Sequence, residues 1–258
     1  MRCLRSAGLS GIEAVGDVMG DVGKSDILAV GKDDKAYPQM LKNIPKAPER
    51  LFFRGNAAAV NDMPCLAVIG SRKASARGLE MAFSFGRMAA EAGFAVVNGL
   101  ALGCDAEALR GALSVGGPCV AVLPCGPDSV YPKTNTALAE EILEKNGCMV
   151  SEYMAGVRPQ KRFFVERDRL QSGISMGVVV VESEETGGTM HTVSFAERQH
   201  RRLACYYSKV PEIASGNRMI VEKGIGEALE SEENVRAFLR DIKEGKQENY
   251  RQMELAFV

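Results

Sequence analysis

From residue 66 onward, short apolar runs alternate with longer segments whose apolar residues recur with the helical period. The runs Leu66–Ile69, Phe94–Val97, Cys119–Leu123, Met149–Ser151, Gly177–Val181 and Leu203–Tyr206 predict strands. Between them, segments 76–92, 105–115, 134–146, 163–172 and 190–200 predict helices. Four consecutive valines, Val178–Val181, suit a strand buried on both faces. Strict alternation of this kind predicts an α/β fold with a doubly wound, mostly parallel sheet. Ser75 is placed to cap the first of these helices and Gly93 to stop it, while Asn135 or Thr134 can cap the third and Gly147 end it. Ahead of this core, residues 1–26 are weakly patterned, Ile27–Val30 reads as a strand, and Leu51–Arg54 looks extended after the prolines at 45 and 48. This stretch predicts an N-terminal extended arm that caps one sheet edge. After Tyr207 the pattern weakens, and 224–244 predicts one polar amphipathic C-terminal helix. The expected division is 1–60 for lead-in and arm, 61–210 for the core, and 211–258 for the helical segment and tail.

Composition narrows the classes. A hydrophobic fraction of 46% in 258 residues is ample for a core, and 27 glycines fit a fold with many tight turns. The 32 Lys and Arg against 33 Asp and Glu give a net charge of −1, so no global field attracts a polyanion and any anion site must rest on local clusters. The 7 cysteines are scattered without a CxxC pair, and Cys119 and Cys125 are too far apart for a usual zinc knuckle, so buried reduced thiols are expected. No apolar stretch approaches a membrane span and residues 1–20 lack a leader's apolar region. A cytoplasmic protein without membrane association or cofactor is the expectation. No repeat with a period of 20–50 residues recurs.

The candidate chemistry gathers at breaks between elements. The first strand of the core ends in Gly70-Ser71-Arg72-Lys73 and the second in Gly99-Leu100-Ala101-Leu102-Gly103, each followed by a helix. In a parallel sheet both turns fall at the carboxyl ends of neighbouring strands, where open α/β sheets bind ligands. Glycine turns let backbone N–H groups close on an anion, and helix N-termini add positive potential. Arg72 can fork onto a phosphate and Lys73 can act as a point charge, while Asp105 reads as an N-cap. Lys161, Arg162, Arg167 and Arg169 form the densest cationic run, interleaved with Phe163 and Phe164. That mixture suits single-stranded nucleic acid, because charges follow the backbone and rings stack on bases; Glu166 and Asp168 are expected to pair with some of the cations. Gly187-Gly188-Thr189 follows a strand and opens a helix, a third candidate phosphate loop. His191 beside it has no neighbouring triad.

Several motifs in order carry a family resemblance. They are YPQML from residue 37, RGN at 54–56, VIGSRKAS at 68–75, NGLALGCDAEALRGAL at 98–113, AVLPCG…VYP at 121–132, SEY at 151–153, FFVERDRLQSGIS at 163–175 and VVVVESEETGGTMHTVSFA at 178–196. Together they resemble the DNA-processing protein A (DprA/Smf) family, within a Rossmann-like superfamily of nucleotide and nucleic-acid binders. The resemblance covers about residues 27–207. It implies single-stranded DNA binding, homodimerisation, and help in loading the recombinase RecA in DNA processing, recombination and natural transformation.

The chain departs from the family pattern at Asn98 (usually Ser), Cys104 (usually Ile), Leu109 (usually His) and Asp168, which puts a carboxylate where the usual Arg-Asn-Arg has an amide. The usual Ser-Gly-Ser-Leu-Ile-Thr reads Gly187 to Thr192. The N-terminal helical module reads as short or missing and no winged-helix sequence follows the core, so the expectation is a divergent, trimmed member. Two other functions fit the superfamily: a sensor of a nucleotide-derived signal, or a nucleoside-monophosphate phosphoribohydrolase using Gly187–Thr189. Against the second, Thr186 stands where such enzymes carry proline, and no glutamate follows until Glu197. The tail Gln252-Met253-Glu254-Leu255-Ala256-Phe257 resembles the peptides that engage the bacterial sliding clamp.

Overall fold

The computed structural model describes residues 27–208 and 214–245. Its strands are β1 (Ile27–Gly31), β2 (Arg50–Gly55), β3 (Cys65–Ile69), β4 (Ala95–Asn98), β5 (Cys119–Val122), β6 (Cys148–Ser151), β7 (Gly177–Val180), β8 (Arg202–Tyr206) and β9 (Glu227–Leu229). The α-helices are α1 (Ala59–Asp62), α2 (Ala76–Glu91), α3 (Cys104–Ser114), α4 (Thr136–Glu144), α5 (Lys161–Ile174), α6 (Thr189–Arg198), α7 (Ser215–Glu222) and α8 (Glu232–Lys243). All nine strands form one sheet in the order β1-β2-β6-β5-β4-β3-β7-β8-β9. From β6 to β9 every pairing is parallel, whereas β1–β2 and β2–β6 are antiparallel. The expected arm is therefore an antiparallel ribbon hydrogen-bonded to the sheet edge.

The strands β3 to β7 are buried throughout, as their unbroken apolar runs require. Alternate residues face opposite layers. Leu66 and Val68 of β3 pack with α2, α3 and α8 through Phe85, Met88, Leu109 and Phe238. Ala67 and Ile69 face α6 and α7 through Val193 and Ile220, and Val97 of β4 faces α5 and the arm through Leu170, Leu41 and Tyr37. Two glycines bring α2 and α3 together: a Cβ on Gly86 would lie 1.9 Å from the Ala108 carbonyl oxygen, and one on Gly111 2.0 Å from that of Phe83.

The chain runs outward from β3 through β4, β5 and β6, then returns to β7 on the other side of β3. That reversal makes the carboxyl ends of β3, β4 and β7 the topological switch point, where open sheets form a ligand crevice. Two expectations are corrected. Residues 224–244 are not one helix: Gly224, with φ +64°, follows the end of α7, Glu227–Leu229 adds a parallel strand to β8, and α8 starts afresh with Ser231 accepting from the Asn234 N–H. Asn135 precedes α4 without capping it, because its side-chain amide is engaged elsewhere.

Candidate nucleic-acid interface

Both glycine turns reach the switch point, and their backbone donors are largely taken. Ser75 caps α2 as its sequence position predicts, accepting from Gly78 N–H. The Glu182 carboxylate, just beyond β7, then accepts from Ser75 N (2.8 Å) and Ser75 Oγ (2.6 Å). An internal carboxylate thus occupies the positive end of α2. At the second turn, Asp105 Oδ2 accepts from Gly99 N (3.0 Å) and Ala101 N (3.3 Å), so Asp105 braces the preceding turn. Burial pushes its carboxyl upward, opposed first by Arg167 and then by those amides. Asn98 donates to the Val68 and Asp105 carbonyls and accepts from Leu100 N–H, while Asn135 donates to the Leu100 and Ala101 carbonyls. The two turns touch where Cys104 N–H meets Ser71 O at 3.1 Å; a Cβ on Gly103 would fall 2.3 Å from that oxygen.

What the turns leave open is side-chain chemistry. A cavity of about 100 Å³ is lined by Arg72, Gly99, Ala101, Leu102, Tyr131, Pro132, Phe164 and Arg167. The Arg167 guanidinium lies against Gly99, close enough that a Cβ there would be 1.4 Å from Nη1. Arg167 is 4% exposed, and its Nε and Nη1 have no hydrogen-bond partner. Its Nε is 3.4 Å from Asp168 Oδ1, near enough for an ion pair although the N–H is not directed at that oxygen. A buried guanidinium with open donors is costly unless an anion completes it. Arg72 lies over the Phe164 ring at 5.4 Å, and Tyr131 meets that ring edge-on at 5.3 Å. Tyr131 and Leu102 are exposed apolar groups at the rim. Two guanidinium groups beside an apolar and aromatic rim can hold a phosphate with its base stacked alongside.

Of the sequence candidates, Arg72, Gly99 and Arg167 come together here. Gly70 and Gly103 shape the joint between the turns, since a Cβ on Gly70 would crowd Cys104 Sγ at 2.5 Å. Ser71 accepts from Lys73 N–H and Cys104 N–H, and Lys73 is exposed beside the pocket-lining Arg72. Lys161 and Arg162 are exposed at the start of α5; Arg162 covers Phe163, which stacks on Tyr153 at 3.9 Å. Arg169 does not line the cavity. Its guanidinium forms a fork with Glu152 and also donates to the Lys46 and Glu166 carbonyls. Nor do Gly187, Gly188 and Thr189 line it. Gly187 N–H donates to the Glu184 carbonyl, and Glu182, Glu184 and Glu185 stand around this loop. A larger cavity of about 280 Å³ between α2 and α8 has Glu80, Glu230 and Glu232 on its lining, which is unfavourable for a polyanion. Sequence reasoning gave Tyr131 and Leu102 no role at this cavity and read Asn135 only as a helix cap, although the VYP motif and the second glycine turn contain the first two. Among the described residues no cluster of metal-ligating side chains occurs.

Fold and site together define a Rossmann-like α/β protein with a pocket lined by two guanidinium groups at its switch point. Residues 29–240 match the family model of DNA recombination-mediator protein A, and the chain belongs to that family. Protein Smf of Escherichia coli is 33% identical over 202 residues, covering 78% of this chain and 54% of that protein. Protein Smf of Synechocystis sp. is 33% identical over 66% of this chain and 43% of its own length. The chain therefore spans about half the length of these relatives. DNA processing protein A of Streptococcus pneumoniae superposes with a TM-score of 0.75 at 29% identity, covering 83% of this chain and 75% of that one. That of Helicobacter pylori, studied for its single-stranded DNA binding mode, gives 0.73 at 25% identity, covering 85% and 96%.

Proposed function

We propose that this chain binds single-stranded DNA at the switch-point pocket and acts in recombination-linked DNA processing. The observation that carries this reading is Arg167, buried against Gly99 with two unpartnered N–H donors beside Arg72. Membership of the family supports it, as does the single-stranded DNA binding of the Helicobacter pylori relative. Phosphate is taken by Arg72 and Arg167, and a neighbouring base rests on Tyr131 and Phe164. Lys73, Lys161 and Arg162 extend the track for the backbone, Arg169 ties the second half of α5 to Glu152 and Lys46, and Gly70, Ser71 and Gly103 fix the turns. Gly187, Gly188 and Thr189 serve as the start of α6.

The chain acts by binding rather than by catalysis, in the cytoplasm, as a homodimer whose two pockets share one strand; RecA is its partner. The described residues contain no helix long and apolar enough to cross a membrane. The clamp-like residues 252–257 lie outside the described residues, and contact with the sliding clamp belongs to the same proposal. Salt-titrated binding of a single-stranded oligonucleotide, its duplex and free mononucleotides tests the central reading. Single strands are expected to bind best, with affinity falling steeply with salt and weakened by Arg72→Ala. Preference for a mononucleotide over the oligonucleotide overturns it in favour of a nucleotide sensor. Light scattering with and without the oligonucleotide tests the dimer, and pull-down with purified RecA tests the partner.

A further inference from the structure

The residue next to the open guanidinium is a buried acid. Asp168, 9% exposed on α5, receives a hydrogen bond from Gln171 Nε2 at 2.7 Å and otherwise faces Arg167 Nε at 3.4 Å. The groups whose charge it feels are Arg167 on its own helix, Asp105 from the first turn of α3, His191 on α6, and Arg72 from the turn after β3. Asp105 is held by two backbone amides of the second turn, whereas Asp168 has no backbone donor that would fix its charge. An anion drawn to Arg167 must therefore share that guanidinium with Asp168.

We propose that Asp168 is an internal counter-anion of Arg167 that competes with the DNA phosphate, so that the pocket binds tightly when the Asp168 carboxyl carries a proton and weakly when it is charged. This rests on the single-strand reading of the pocket and adds a regulation of it. Burial is the largest influence on the Asp168 carboxyl; opposed first by Arg167, helped by Asp105 and opposed again by His191 and Arg72, it leaves that carboxyl raised to about 6. Its titration thus falls in a range where a modest change of pH alters its charge. Linkage makes the effect reciprocal: a phosphate beside Asp168 raises its proton affinity, and each unit of that rise corresponds to a tenfold change in DNA affinity across the titration.

The test compares wild type with Asp168→Asn for binding of a thymidine oligonucleotide at pH 5.5 and 7.5, at fixed ionic strength. Asparagine keeps an acceptor for Gln171 and removes the charge. Wild type is expected to bind about sixfold tighter at the lower pH, for a one-unit linkage starting from about 6. Asp168→Asn is expected to match that tighter affinity at both. His191→Gln, run in parallel because that side chain acts on Asp168, is expected to keep most of the pH response. Carboxyl NMR of wild type is expected to show the Asp168 titration moving to higher pH when the oligonucleotide is added, a readout that survives poor folding of the variant. Equal affinities and equal pH responses for wild type and Asp168→Asn, or an Asp168 titration unmoved by the oligonucleotide, overturn the inference. Absence of binding by either protein at both pH values overturns the pocket assignment itself, and the inference with it.

Discussion

Gly99→Ala isolates the pocket from the fold. The new Cβ would lie 1.4 Å from Arg167 Nη1, 1.9 Å from Cζ and 2.0 Å from Nη2, all at the far end of a flexible side chain. No backbone atom is among these nearest contacts, and Gly99 is not among the residues with positive φ, so alanine fits its main chain. The guanidinium must leave its seat while Gly99 N–H keeps its bond to Asp105. If Arg167 holds phosphate, the loss is that of a charge-assisted hydrogen bond, about 1.5–3 kcal/mol, or roughly 10- to 150-fold in Kd. One fewer neutralised phosphate lowers the single-strand salt slope by about 0.7. Binding is measured by fluorescence anisotropy across a salt series, with melting temperature as the folding control. The double variant Gly99→Ala/Arg167→Ala is expected to bind no more weakly than Arg167→Ala, because both remove one interaction. A folded Gly99→Ala protein with wild-type affinity and slope refutes the argument.

Arg72→Ala is expected to weaken single-strand binding across all sequences and reduce the salt slope by about 0.7, with Arg72→Lys restoring only part, because an ammonium lacks the fork. Arg169→Ala is expected to act on stability: removing one partner of the largely buried pair with Glu152 costs about 3–5 kcal/mol, read as a lower urea midpoint, with the DNA salt slope unchanged. The raised Asp168 carboxyl has a linkage sign opposite to that of a salt-bridged acid. Between its unfolded value of 3.8 and its folded value of about 6 the native state binds more protons than the unfolded chain. Wild-type stability should therefore fall as pH rises through that interval, and Asp168→Asn should remove this part of the decline in a melting-temperature series. Purified protein should release no base from nucleoside monophosphates; turnover abolished by Thr189→Ala or Glu197→Ala would replace the binding reading with a hydrolase.

The parallel core is legible because strands buried on both faces leave continuous apolar runs, and the Ser75 cap because its side chain acts on an amide three residues away. The place of Arg72 at the cavity was legible for the same local reason, since it stands in a glycine turn between strand and helix. What the sequence hides is competition among distant groups. A glycine turn opening a helix reads as a phosphate cradle, yet Glu182, 107 residues beyond Ser75, fills the first helix terminus, and Asp105 claims the amides of the second turn. Spacing alone cannot tell an internal carboxylate from a ligand's phosphate, because both satisfy the same donors. Arg167 and Arg169 differ by two residues in one cationic run, but α5 turns one onto Gly99 and the other onto Glu152. β9, three residues between Gly226 and the next helix cap, is too short to show a period and exists because β8 offers a free edge. The candidate site is thus defined by which donors the fold leaves unpaired, and at Arg167 the sheet reversal, Gly99 and Asp168 together decide that.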